Sequence, residues 1–192
     1  MTEVTKIFRH LARDLFIYFL PGFIVILNLG YVDFCLNETH VLNYLKTLPQ
    51  WVFCVLIVSF IVGHFVFTLM YLFFDYSGFD NRLKKNLFPL SNSMMVFKVD
   101  EQKEIEIYKK ALDLHEQFIE RHTQLYLMRW NLSGGLLLSG IINLIFGICF
   151  HFTLPYTLIT IIFILAAPLF YILSLKTEKD CADRIDNIHT LV

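Results

Sequence analysis

From Trp130 to Leu175 the chain carries no Asp, Glu, Lys or Arg. That run is the tightest constraint in the sequence. An apolar helix of about 20 residues already crosses a bilayer, because it satisfies its own backbone polar groups in hydrocarbon. The run is too long for one crossing and breaks at His151 to Pro155, so it reads as a helical hairpin with spans at 132–150 and 154–174. Two further runs obey the same rule: Leu15 to Val32, between Asp14 and Asp33, and Trp51 to Phe74, ending at Asp75. The expected fold is all-α: a four-span helical integral membrane protein with a helical cytoplasmic extension between spans 2 and 3. The first span is expected to be retained, since its apolar stretch is long and ends in Asn28, Gly30 and Tyr31 rather than at a small-residue cleavage site.

Composition agrees. Hydrophobic side chains make up 56% of the chain and charged ones 17%, too apolar a balance for a water-facing surface. The 20 phenylalanines suit lipid contact and interhelical packing. A net charge of -1 excludes nothing by itself, so the placement of charge carries the argument. Lys6, Arg9 and Arg13 precede the first span; Arg82 to Arg129 supply most of the cations between the second and third; Lys176, Lys179 and Arg184 follow the fourth. Between the first two spans only Lys46 occurs, and the last turn has none. Short basic segments stay in the cytoplasm, which places both termini and the central segment there. Trp51, Trp130, Tyr31 and Tyr156 fall at the expected interfaces. A bacterial inner membrane is the compartment expected from the resemblance described below.

Residues 1–14 read as an interfacial amphipathic helix, with Ile7, Phe8, Leu11 and Leu15 on one face and Lys6, Arg9 and Arg13 towards headgroups. Residues 15–74 form the first transmembrane hairpin, 75–129 a cytoplasmic loop and stalk helix, 130–175 the second hairpin, and 176–192 a cytoplasmic tail. The loop starts irregular, with Gly78, Asn81, Pro89, Ser91 and Asn92, and turns helical from Val99. Ile105, Tyr108, Leu112, Ile119 and Tyr126 share one face of that stalk. No proline lies between Leu90 and Leu154, so the stalk is expected to run into the third span, with Gly134-Gly135 as its hinge. His115 and His122 sit on the apolar seam, which either packs on the rest of the loop or bundles with other copies.

Within the spans, Gly135, Ser139, Asn143 and Gly147 recur at steps of four, and Ser59 and Gly63 repeat the pattern in the second span. Small residues at that spacing let membrane helices approach closely, so these six are candidates for helix packing or oligomerisation. Pro21 and Pro168 are expected to kink their helices. His64 lies near the centre of the second span; with no Asp or Glu inside any span, the expectation is a structural imidazole bonded to Asn28, Asn143 or a backbone carbonyl across a helix interface, ahead of a proton relay. Lys109, Lys110, Glu116 and Glu120 on the stalk are the candidate contacts for a docked protein. The sequons at Asn37 and Asn131 are treated as chance matches.

Catalytic patterns are absent from the sequence: no phosphate-cradling glycine loop, no Gly-x-Ser-x-Gly elbow, no His-Glu-x-x-His pair. Cys35, Cys54, Cys149 and Cys181 show no paired spacing, so neither disulfides nor a metal site is expected. No enzyme activity and no cofactor are implied, and the loop's mixed charges give no support to direct nucleic-acid binding.

The whole plan, together with Arg13-Asp14-Leu15 followed by Leu20-Pro21-Gly22-Phe23, resembles the KwaA membrane subunits of the bacterial anti-phage defence system Kiwa. The resemblance is architectural and carries no catalytic residues. It implies an inner-membrane protein that self-associates into a homo-oligomer, with a tetramer as one candidate form, and holds a cytosolic DNA-binding effector resembling KwaB. Infection would be sensed at the membrane and relayed to that effector. The other reading is an oligomeric pore that depolarises the infected cell, lined by the third-span stripe or His64.

Overall fold

In the computed structural model, residues 15–35, 47, 50–79, 82–83, 113–150 and 153–190 are described, with the backbone alone at 75, 113–119, 150 and 181–190. The expected interfacial helix at 1–14 and the stalk residues before 113 lie outside them. Four helices are long and apolar enough to cross a membrane, and among the described residues every element is helical, the fold of a four-span membrane protein. Helix α1 (Leu20–Cys35) is preceded by widened π turns at Leu15–Phe19. Helix α2 (Trp51–Met70) ends in π turns at Tyr71–Tyr76. Helix α3 covers Asp113–Phe150 and α4 covers Leu154–Thr190.

Local sequence accounts for the boundaries. Pro155 sits in the first turn of α4, where its missing N–H is no loss, and the Thr153 carbonyl accepts from the Thr157 amide at 2.9 Å. Gln50, in a left-handed conformation at φ 64, turns the chain into α2. Its carbonyl accepts from the Phe53 and Cys54 amides at 2.8 and 3.2 Å. Past the π turns, Gly78 sits at φ 71, a left-handed conformation that glycine takes without strain.

The helices alternate in direction. Leu15, Phe74, Trp130 and Leu175 therefore lie at one end of the bundle, the stalk end, and Cys35, Trp51 and Leu154 at the other, the turn end. Helix α3 is central: α4 packs along it, α1 packs against it, and α2 lies mainly on α1. Half of the third span's most apolar stretch is buried, against 17% for the second span. The stalk end holds the larger core, where Val66, Met70, Trp130, Tyr171 and Leu175 close together with Leu83 and Tyr126 packed on them. Trp130 points into this core, ring to ring with Phe67, and does not anchor at a lipid interface as its position suggested. Leucines, isoleucines and phenylalanines of α2 and α4 face outward, as lipid requires.

Two expectations change in extent. The third span is one uninterrupted helix with the described part of the stalk, and no hinge opens at Gly134-Gly135. A Cβ at Gly134 would meet the Met70 side chain, and one at Gly135 would meet the Pro21 carbonyl. The pair is there to admit neighbours, not to bend. The expected cytoplasmic tail belongs to the fourth span's helix, since α4 includes Pro168 and continues to Thr190. At 1.5 Å per residue, α3 and α4 are each about 55 Å long, roughly 25 Å more than the hydrocarbon core they cross. Both excesses lie at the stalk end.

Candidate functional site: polar groups inside the bundle

Helices α1 and α2 cross at a point where no side chain intervenes. A Cβ on Gly22 would overlap the Ser59 carbonyl oxygen, and one on Gly63 would overlap the Tyr18 carbonyl. Ser59 and Gly63 are thus helix-packing residues, and their partner is the first span. Ser59 is fully buried, its hydroxyl without a hydrogen-bond partner among the described residues.

The π turns before α1 follow from Pro21. In an α-helix the Ile17 carbonyl would accept from the N–H of residue 21, and proline has none. Asn131 of α3 supplies the donor instead, its Nδ2 lying 2.8 Å from the Ile17 oxygen. Asn131 is fully buried, so its sequon is out of reach of any modifying enzyme in the folded chain. A side chain from a neighbouring helix re-satisfying a proline-freed carbonyl is the usual way membrane helices tolerate proline.

One helical turn at a time along α3, the stripe meets α1. Gly135 lies against Pro21. The Ser139 carbonyl accepts from Asn28 Nδ2 at 3.3 Å, and the same Nδ2 donates to Asn143 Oδ1 at 2.9 Å. Tyr156 of α4 donates its hydroxyl to the Asn143 carbonyl at 3.0 Å, and its ring stacks on Tyr31 with centroids 6.0 Å apart. Gly147 is buried one turn further on. Gly135, Ser139, Asn143 and Gly147 are therefore buried within one chain, and the three nearest the stalk end pack against the first span. Of the two uses open to this stripe, helix packing or oligomerisation, the structure shows packing within one chain. Asn28 Oδ1, Asn143 Nδ2 and Ser139 Oγ remain without partners among the described residues.

His64 departs furthest from expectation. It bonds to neither Asn28 nor Asn143, which hold each other, and instead lies on the exposed face of α2. Its ring stacks on Tyr18 at 3.8 Å between centroids and 17° between planes, with the edge of Phe60 at 4.6 Å.

At the stalk end Arg129 donates from Nη1 to the Thr177 hydroxyl, tying the bases of α3 and α4 together. One residue on, Glu178 is 1% exposed. Its burial was readable in the sequence, because Thr160, Ala167, Tyr171, Ser174 and Glu178 fall on one helical stripe that runs beyond the uncharged stretch. Asn131 and Tyr156 left a weaker trace: each is a hydrogen-bonding side chain at the edge of an apolar run. Of the stalk candidates, Glu120 is half-buried and accepts from Gln124 Nε2 at 3.3 Å, an i to i+4 contact along its own helix. Lys109, Lys110 and the Glu116 side chain lie outside the described residues, as does the side chain of His115. Among the described residues no group of three His, Cys, Asp or Glu is placed to hold a metal ion, and Cys35, Cys54 and Cys149 are free thiols.

The arrangement inside the bundle is that of a joint between helices, with amide and carbonyl groups paired across α1, α3 and α4. No protein-family model, curated protein or solved structure matches the chain.

Proposed function

We propose that the chain is a membrane-embedded sensor and scaffold of an anti-phage defence system, which self-associates and holds a cytosolic DNA-binding effector of the KwaB kind on its projecting helices. One observation carries the reading: the third and fourth spans both continue as helices past any bilayer they cross, to Asp113 and to Thr190. A helix unbroken through the membrane surface moves as one body, so a disturbance among the spans displaces the projecting segment. A partner responds if it binds the two positions with different affinity. The Lys and Arg placement supports a cytoplasmic projection, and the resemblance in plan supports a bacterial inner membrane. Defence and the nature of the effector rest on the resemblance in plan. The pore reading loses one of its linings, because the third-span stripe is occupied by the first span.

Alkaline phosphatase fused after Leu175 is expected to be inactive and fused at Asn43 active. The reverse pattern would put the projection on the wrong side for a cytosolic partner. Given the expected topology, charge reversal at Lys109 and Lys110 together should release the effector from detergent-solubilised membranes without reducing insertion. A chain lacking residues 101–122 that still inserts, retains the effector and protects cells would sink the docking role.

A further inference from the structure

Hydrogen-bonding side chains within the spans turn inward: Asn28, Ser59, Asn131, Ser139, Asn143 and Ser174 are each at most 3% exposed. His64 breaks the pattern, exposed on α2. About 15 Å of helix separates it from Phe74 and about 20 Å from Trp51, so it lies near the middle of the hydrocarbon core. Tyr18 covers one face of the ring. Among the described residues the hydrogen bond at this position is made by the His64 backbone carbonyl, which accepts from Thr68 at 2.9 Å. That bond satisfies Thr68, the other polar side chain exposed nearby, and leaves the two imidazole nitrogens to be met from outside the bundle. Lipid tails have neither donor nor acceptor, and a polar ring left bare at that depth is costly.

We propose that the exposed face of α2, formed by Ile57, Ile61, His64 and Phe65, is the contact between two copies of this chain, with the two His64 rings hydrogen-bonded to each other. A neutral imidazole carries one donor and one acceptor, so it complements a second copy of itself. A two-fold contact sets each residue near the axis beside its own counterpart and at the same depth. A foreign protein would have to bring a matching polar group to that level; a second copy does so automatically. The second span is also the least buried of the four. The inference rests on the scaffold reading for the bilayer and deepens its self-association by naming the contact.

The test uses the full chain in lipid nanodiscs and liposomes, with Cys35, Cys54, Cys149 and Cys181 changed to Ser. Ile61→Cys should form a disulfide-linked dimer under mild oxidation, and Leu165→Cys, on the exposed face of α4, should not. Without added cysteines, His64→Leu should raise the dimer dissociation constant about tenfold, the worth of one interhelical hydrogen bond. His64→Asn, which also offers a donor and an acceptor, should stay within about threefold of the parent. Cross-linking at Leu165 in place of Ile61 overturns the proposal. So does a His64→Leu chain that associates like the parent, or a parent that is monomeric in bilayers, with lipid alone covering the ring. Effector retention is scored separately on the parent, and a parent that dimerises through α2 but holds no effector counts against the scaffold reading alone.

Discussion

The second and third spans are both apolar helices that cross the same bilayer, yet they are used in opposite ways. The third buries half of its most apolar stretch, turns the Asn131 and Asn143 side chains onto partners in the first span, and offers the Ser139 carbonyl to Asn28. The second buries 17% of its own, touches α1 through the bare backbone at Ser59 and Gly63, and leaves His64 outside. Apolar content alone does not separate them, because lipid tails are as apolar as leucine and give no drive towards the centre. Position in the bundle follows from the small and hydrogen-bonding residues. Close backbone approach fixes where α2 sits, and amide chemistry fixes where α3 sits.

The largest expected effect tests the steric half of that contrast. Gly63→Val places a branched side chain where the Tyr18 carbonyl stands, so the crossing must open, at a cost of about 3 kcal/mol in reversible unfolding from mixed micelles. Gly78→Ala, at a glycine with open space around it, should cost only about 1 kcal/mol for its backbone conformation. Equal losses at the two sites would mean that backbone contact does not hold α2. For the amide half, Asn143→Leu should cost about 1–2 kcal/mol by the same assay. Adding Asn28→Leu should cost little more, because the second change removes the orphan left by the first; additive losses in that double-mutant cycle would show that the amides do not act as a pair. The smallest effect is also the most selective. Asn131→Ala should cost about 1 kcal/mol in the parent and close to nothing in a Pro21→Ala background. There residue 21 regains the N–H that the Ile17 carbonyl lacks.

The four spans were legible in the sequence because hydrocarbon admits few solutions, and Asp14, Asp33, Asp75 and Lys176 mark their ends sharply. The packing function of Gly135, Ser139, Asn143, Ser59 and Gly63 was legible too, since spacing at four residues puts them on one face. Their partner was not. A small-residue stripe has the same chemistry whether the helix across from it belongs to its own chain or to another. The inward turn of Trp130 and the outward turn of His64 were hidden for a related reason. Hydropathy along the chain has no angular reference, and which side of α2 faces α1 is decided by Gly63 meeting Tyr18, a contact between distant segments. The extent of α4 was not legible because the run of uncharged residues marks only the span, which it ends near Ser174. Charge ends a span, and helix formation continues through Lys176 to Asp180 without a proline or glycine to stop it.

The joint between α1 and α3 has a consequence for the order in which the protein is made. Asn28 and Asn143 are 115 residues apart, and Ile17 and Asn131 are 114 apart. At roughly 5–20 residues per second, a ribosome needs about 6–23 s to bring the later member of each pair out after the earlier one. Gly22 and Gly63, 41 residues apart, can meet well before that, so the first hairpin is able to cross before the third span exists. Its proline-freed carbonyl and its lone amide then wait in the membrane for a helix not yet synthesised.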